Sequence, residues 1–262
     1  MPTLVLPPRF TPDTMAVGQA AQMAGWSVER LPSWRAPEWL REEDVVLYGE
    51  PLFAAVVGEE LGLALLEPPF HWLATLTAEH LRREVRFATL WEARQLLQPA
   101  FVKPADDKCF LAGVVSSGQQ LPGEDVLPGE TPVLIAEPVR WEVEFRCFIL
   151  EGEVVAISPY LRRGELARSS NGSWEDDRTE QARAFGQGVV SDSSVALPPA
   201  VVMDVGIIDG REWAVIEANA AWGSGIYGCD PAAVLRVVRR ACLARDRVSA
   251  ADRRWIVERS AG

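Results

Sequence analysis

The feature that most narrows the fold is a pair of apolar runs on either side of Asp209-Gly210. Val201-Val202-Met203 precedes the pair and Ala214-Val215-Ile216 follows it, and Asp-Gly between such runs is a strong hairpin signal. With those two residues as the turn, Ile208 faces Arg211, Gly206 faces Trp213 and Asp204 faces Val215. Side chains alternate faces along a strand, so Asp204 shares a face with Val215, Glu217 and Asn219. Asp204 and Glu217 are then diagonal neighbours, about 7–8 Å apart at the backbone. Two carboxylates and an amide oxygen on one face are either a solvated sheet surface or a hard-oxygen set suited to Mg²⁺, which takes few protein ligands plus phosphates. The flanking apolar runs have the character of central strands, where an acid without a partner is costly.

A second hairpin, residues 141–160, turns at Glu151-Gly152. Val143, Phe145, Cys147 and Ile149 share its core face, while Glu142, Glu144 and Arg146 share the other. That second face is either plain amphipathic sheet or the floor of a polar cleft.

Residues 1–70 alternate strand and helix at short intervals, which argues for a small parallel α/β sheet. Strands are expected at 3–6, 26–31 and 44–48, with 63–66 closing the unit. Helices are expected at 11–24 and at 50–61, the latter with Pro51 at its first position and Leu52, Phe53, Val56 and Val57 on one face. Glu67-Pro68-Pro69 marks a boundary. Beyond it the pattern predicts helices over 72–83 and 90–97, strand over 101–115 and a mobile Gly/Ser/Pro-rich loop over 116–132. A helix near 174–185 follows, then one opening at Asp230-Pro231 with Val234, Val237, Val238 and Ala241 as its buried stripe. The arginine-rich stretch after Arg245 reads as a solvated tail. The expected domains are therefore 1–70, 71–246 and a tail at 247–262.

The chain has 262 residues, 48% of them apolar, enough to bury a sizeable core. No apolar run is long enough to span a bilayer, and the first ten residues lack the pattern of a signal peptide. A net charge of −11 makes nucleic acid a poor partner. The four cysteines, Cys109, Cys147, Cys229 and Cys242, lack metal-site spacing and read as reduced thiols of a cytoplasmic protein. Of the 26 basic residues only two are lysine, and Lys103 and Lys108 lie within six positions of each other. Arginine bias explains the scarcity; the clustering suggests a site that uses a compact ammonium.

The ordered series Phe101-Val102-Lys103-Pro104, Lys108, Ala136-Glu137-Pro138-Val139, Glu144-Phe145-Arg146, Asp204 and Glu217-Ala218-Asn219 resembles the ATP-grasp superfamily. It is most similar to a compact clade of predicted amidoligases carrying one arginine and two lysines in the ATP site. Each element alone is weak; the order and the spacings carry the likeness, seven positions from Glu137 to Glu144 and thirteen from Asp204 to Glu217. The resemblance runs from about residue 85 to 245 and implies an α/β (α+β) ATP-grasp fold, with residues 1–70 as the small preceding domain.

The resemblance further implies roles. Lys103 and Lys108 would contact the α- and β-phosphates, Glu137 would begin the adenine hinge with Val139 as the main-chain donor, and Glu144 would accept from the ribose hydroxyls. Arg146 would meet the γ-phosphate or an acyl-phosphate, and Asp204, Glu217 and Asn219 would hold Mg²⁺. Residues 103–113 contain a single glycine, Gly113, a departure from the glycine-rich phosphate loop of many members, so the lid is either residues 116–123 or reduced. The substrate would lie near residues 220–228, where Gly223, Gly225 and Gly228 allow close backbone approach and N–H donation to an anion. Arg162, Arg163 and Arg168 are either a carboxylate clamp or a solvated loop.

The implied reaction is ATP-dependent joining of a carboxylate to an amine through an acyl-phosphate, on small molecules or peptides, by a monomer or homodimer. An ATP-grasp phosphotransferase and a catalytically decayed nucleotide-binding module are the other readings. His71 and His80 read as structural or surface residues.

Overall fold

The structure, a computed structural model, describes residues 1–105 and 109–257, so Lys108 lies outside it. Two compact units are present. The first holds Met1–Pro68, Val143–Val205 and the chain from Glu217 onward; the second holds Pro69–Glu142 and Gly206–Ile216.

In the first unit, Thr3–Leu6 is the middle strand of a parallel three-stranded sheet, with Ser27–Arg30 on one side and Val45–Leu47 on the other. The intervening helix, Pro12–Met23, starts where expected because Thr11 and Thr14 form a reciprocal capping box and Pro12 needs no donor. The second helix, Pro51–Glu60, buries Phe53, Ala54, Val57 and Gly58. Leu52 and Val56 of the expected face are exposed instead. The helix is apolar nearly all round, so period alone cannot choose its inward face. Gly58, which leaves Leu65 room at 3.3 Å from where a Cβ would stand, favours the observed one.

The strand Leu63–Leu65 does not close that sheet. It pairs antiparallel with Cys242–Ala244, beyond the helix Pro231–Ala241. That helix presents the expected stripe, Val234, Val237, Val238 and Ala241, all buried. Its start is capped by Asp230, whose carboxylate accepts from the Ala232 and Ala233 N–H groups. The stretch after Arg245 corrects the expectation of a solvated tail: Trp255 is buried, its carbonyl accepts from Glu67 N–H at 2.9 Å, and Ile256 bridges Leu66. Two apolar side chains among the arginines are enough to fold this end back, and Arg240 ties it down through Asp252 while also pairing with Glu151.

The five-stranded sheet has the order Glu165–Leu166, Glu153–Arg162, Trp141–Leu150, Ala200–Ile208, Trp213–Asn219. The first hairpin turns at Glu151-Gly152 as read, both residues at positive φ, which is the geometry of a two-residue turn of the I′ kind. The second turn is one residue longer than expected. Arg211 N–H bonds the Ile208 carbonyl and Ile208 N–H reaches Glu212, so Ile208 stands opposite Glu212 and not Arg211. Gly210 takes the positive φ that such a turn needs. The helix expected near 174–185 runs over Thr179–Ser191.

In the second unit an antiparallel sheet has the order Val85–Thr89, Pro132–Ala136, Ala100–Pro104, Gly113–Val115. Its outer and second strands have no counterpart in the sequence reading. The helices expected around them shrink to single turns, Ala78–Leu81 and Leu90–Ala93, with a 3₁₀ turn at Trp72–Thr75. Arg82 at φ 50° ends one, and a Thr89–Glu92 capping box starts the other. The segment read as a mobile loop is anchored. Arg94 donates to the Pro122 and Leu127 carbonyls, and Gly118 packs so closely on the Arg94 carbonyl that a Cβ would come within 2.2 Å. Among the described residues no helix is long and apolar enough to cross a membrane.

Candidate active site

Glu144 and Arg146 sit two apart on the Trp141–Leu150 strand and so point to the same face. That face is buried, as is the core face carrying Val143, Phe145 and Cys147, which excludes plain amphipathic sheet. The neighbouring strand supplies Asp204, which has no exposure to solvent.

Arg146 forms a two-pronged pair with Asp204, Nε to Oδ1 at 2.9 Å and Nη2 to Oδ2 at 2.6 Å, and its Nη1 donates to the Gly225 carbonyl at 3.1 Å. Burial works against charge on this guanidinium, but the Asp204 carboxylate outweighs it and holds the group ionised well beyond its ordinary range. The guanidinium carbon of Arg146 also lies over the rings of Tyr160 and Tyr227, at 5.3 and 5.0 Å from their centres.

A register shift between Pro159 and Leu161 marks a bulge in the adjoining strand, a device that re-aims side chains. Tyr160, at that shift, donates its hydroxyl proton to Glu144 Oε2 at 2.7 Å. Burial pushes the Glu144 carboxyl up to about 7; the Tyr160 hydrogen bond opposes this, while the charges of Asp204 and Glu217 add to it. Asp204 and Glu217 therefore act on the same group despite the longer turn. Glu217 Oε1 accepts from Asn219 Nδ2 at 2.8 Å, which joins the two residues of the Glu-Ala-Asn motif. Two carboxylates and one amide make up this oxygen set. Among the described residues, no group of three or more His, Cys, Asp or Glu could hold a metal ion.

The loop after Asn219 approaches the same cluster. Gly225 carries the carbonyl that Arg146 grips, and a Cβ there would stand 3.0 Å from Asp13 Oδ2. The expectation that loop glycine N–H groups await an anion is corrected at two positions: Gly223 N–H bonds the Ala220 carbonyl, and Gly228 N–H bonds Ser158 Oγ. Tyr227 holds a left-handed backbone at φ 48°, uncommon for an aromatic residue, with its ring stacked on Tyr160 and edge-on to Trp174. Asp13, at the start of the first helix, accepts from Ile226 N–H at 3.2 Å, and burial raises its carboxyl. The Tyr48 hydroxyl donates to the Ser224 carbonyl. Asp13, Tyr48, Tyr160, Trp174 and Tyr227 were not legible as site residues. The bulge sets Tyr160 and the loop conformation sets Tyr227, while Asp13 and Tyr48 reach that loop through hydrogen bonds to residues 213 and 176 positions away in the chain.

Arg162 pairs with Asp176 at 2.7 Å and Arg168 donates to the Gly172 carbonyl, so both side chains are held locally, while Arg163 is exposed in a turn at φ 53°. In the second unit, Lys103 lies on Ala100–Pro104 opposite Leu134. Glu137 is clasped by Arg211 and held below the usual carboxylate range by that bond, and its own N–H bonds the Glu84 carbonyl. Val139 is half-buried just beyond it. Arg83 pins this unit by donating to the Val215 and Ile216 carbonyls. His71 is exposed and edge-on to Phe87, and His80 is buried. Cys147, Cys229 and Cys242 are buried free thiols and Cys109 is exposed.

No curated protein matches the sequence. In fold, the chain is similar to a RimK domain ATP-grasp protein from Sphaerobacter thermophilus, with a TM-score of 0.52 and 13% identity over 91% of this chain and 99% of that one. It is also similar to the ATP-grasp ligase PsnB complexed with a minimal precursor, with a TM-score of 0.50 and 14% identity over 90% of this chain and 97% of that one. A family model for the ATP-grasp domain, family 2 of the clade with one arginine and two lysines, matches residues 80–237. That segment carries the Arg146–Asp204 pair, Glu144 and the Glu-Ala-Asn motif. With the match covering more than half of its length, the chain belongs to family 2 of this ATP-grasp clade.

Proposed function

We propose that the protein is an ATP-dependent ligase that joins a carboxylate to an amine through an acyl-phosphate, with Mg²⁺ at Asp204, Glu217 and Asn219. The observation that carries this reading is the convergence of the buried Arg146 guanidinium, the buried Asp204 and Glu144, the half-buried Glu217 and a tyrosine hydroxyl on adjacent strands. Such a set suits charge neutralisation and positioning of transferring phosphate. The donor chemistry fits a hard cation: only oxygen ligands are offered, and the Asn219–Glu217 bond orients two of them. When bound, Mg²⁺ supplies neutralisation of phosphate charge.

In the first step a substrate carboxylate oxygen bonds to the γ-phosphorus as the bond to the ADP oxygen breaks. The amine then attacks the acyl carbon, inorganic phosphate leaves, and the amine loses one proton to solvent. Arg146 meets the negative charge on the transferred group, Glu144 accepts from the ribose, and Lys103, with Lys108, meets the inner phosphates. Glu137 and Val139 serve adenine. Gly225, with Arg162, Arg163 and Arg168, is the candidate substrate contact; Gly223, whose N–H bonds the Ala220 carbonyl, offers only close backbone approach. The reading places the enzyme in the cytoplasm, as a monomer or homodimer, with its cysteines reduced.

The test is ADP release with Mg²⁺ against pools of carboxylates and amines. Short peptides are included because a precursor-bound ligase, PsnB, shares the fold. Amine-dependent release is expected, and release that needs no amine would assign a phosphotransferase. Glu217→Ala should abolish turnover in a folded protein; normal turnover in that variant would overturn the metal assignment.

A further inference from the structure

Arg146 and Asp204 each have a proposed role toward the bound nucleotide, yet in the structure they bind each other. The pairing is complete. Both Asp204 oxygens accept from the guanidinium, the carboxylate is fully buried, and a third guanidinium bond goes to the Gly225 carbonyl. Tyr160 and Tyr227 flank the arginine and limit where it can swing. Breaking a buried pair by removing one partner leaves an uncompensated charge and is strongly unfavourable. Arg146 therefore leaves Asp204 readily only if a cation takes its place on the carboxylate while an anion takes the guanidinium. A divalent cation carried on a phosphate brings both; a metal-free phosphate brings only the anion.

We infer that the Arg146–Asp204 pair is a selectivity element that admits nucleotide phosphate together with its divalent cation and resists the metal-free nucleotide. The inference rests on the nucleotide reading of this site. It assigns Asp204 a second task, that of holding the arginine away from phosphate until metal arrives.

The test is calorimetric titration of the full chain with AMP-PNP, a non-hydrolysable ATP analogue that carries the terminal phosphate assigned to Arg146, in EDTA and in Mg²⁺. Wild-type protein should bind AMP-PNP weakly in EDTA. Asp204→Asn frees Arg146, so metal-free AMP-PNP should bind about tenfold tighter than to wild type, the worth of roughly one charge-assisted hydrogen bond. Mg²⁺ should then add little. Glu217→Gln removes a charge from the same cluster without freeing the arginine, and its metal-free affinity should rise by no more than about twofold. Asp204→Asn binding metal-free AMP-PNP no tighter than wild type, or no tighter than Glu217→Gln, overturns the inference. Because Asp204→Asn leaves a buried arginine poorly matched and could fail to fold, a second measurement uses wild-type protein. The slowly exchanging Nε–H resonance that disappears in Arg146→Lys should shift with Mg²⁺–AMP-PNP and stay in place with AMP-PNP in EDTA. Equal shifts in both overturn the inference. Wild-type protein that binds AMP-PNP in neither buffer refutes the nucleotide reading itself, a result distinct from the others.

Discussion

Glu144 offers a prediction whose size follows from the structure. Its carboxyl is held at about 7 against an ordinary 4.5, chiefly by burial. A tenfold change in a proton-binding constant is worth about 1.4 kcal/mol, so this displacement amounts to about 3 kcal/mol. Between these two values the folded protein keeps a proton that the unfolded chain has released. Glu144 therefore contributes its full stability below pH 4.5, and that contribution is lost as pH rises through 7. Gln cannot ionise, yet its carbonyl can still accept from Tyr160. Glu144→Gln should thus gain on wild type by about 3 kcal/mol between about pH 4.5 and pH 8. Urea unfolding followed by circular dichroism, at closely spaced pH values across that range, measures the difference. Parallel stability curves for the two proteins would refute the reasoning, because they would mean that Glu144 ionises as freely in the folded state as in the unfolded chain.

Other consequences are open to direct measurement. Lys103→Arg conserves charge but not the compact ammonium, so nucleotide affinity should fall; an unchanged dissociation constant for ADP would remove the case for lysine. Asp230→Ala deletes the cap that accepts from Ala232 and Ala233 and should lower unfolding free energy by about 1 kcal/mol. Gly228→Ala would place a Cβ within 2.3 Å of Trp174 Cβ. It should displace that indole from Tyr227, change tryptophan emission and cost about 1–3 kcal/mol in stability.

Much of the fold could be read locally because its signals are local. Thr11 with Pro12, Pro51 and Asp230-Pro231 are start signals carried in a few residues, and the helices begin there. Strand alternation separated Val143, Phe145 and Cys147 from Glu144 and Arg146 without any knowledge of neighbours. The strands Val85–Thr89 and Pro132–Ala136 escaped because their residues carry no clear period. They are strands through pairing with each other, Val85 opposite Ala136 and Thr89 opposite Pro132. The Thr89–Glu92 capping box likewise marks where the helix at Leu90 starts and not how far it runs, so a four-residue turn reads as a longer helix.

Chain order was enough to nominate the site, since the succession Glu144, Arg146, Asp204, Glu217, Asn219 is present before any folding. What those residues do to one another was settled by the fold alone. Asp209-Gly210 is compatible with turns of two or three residues, and the longer one forms where the Arg140 carbonyl accepts the Asp209 N–H. Whether Arg146 awaits an anion or sits on Asp204 depends on burial that no local pattern encodes. A charge removed from water must find a partner, and its partner is set by which strands become neighbours in the folded sheet.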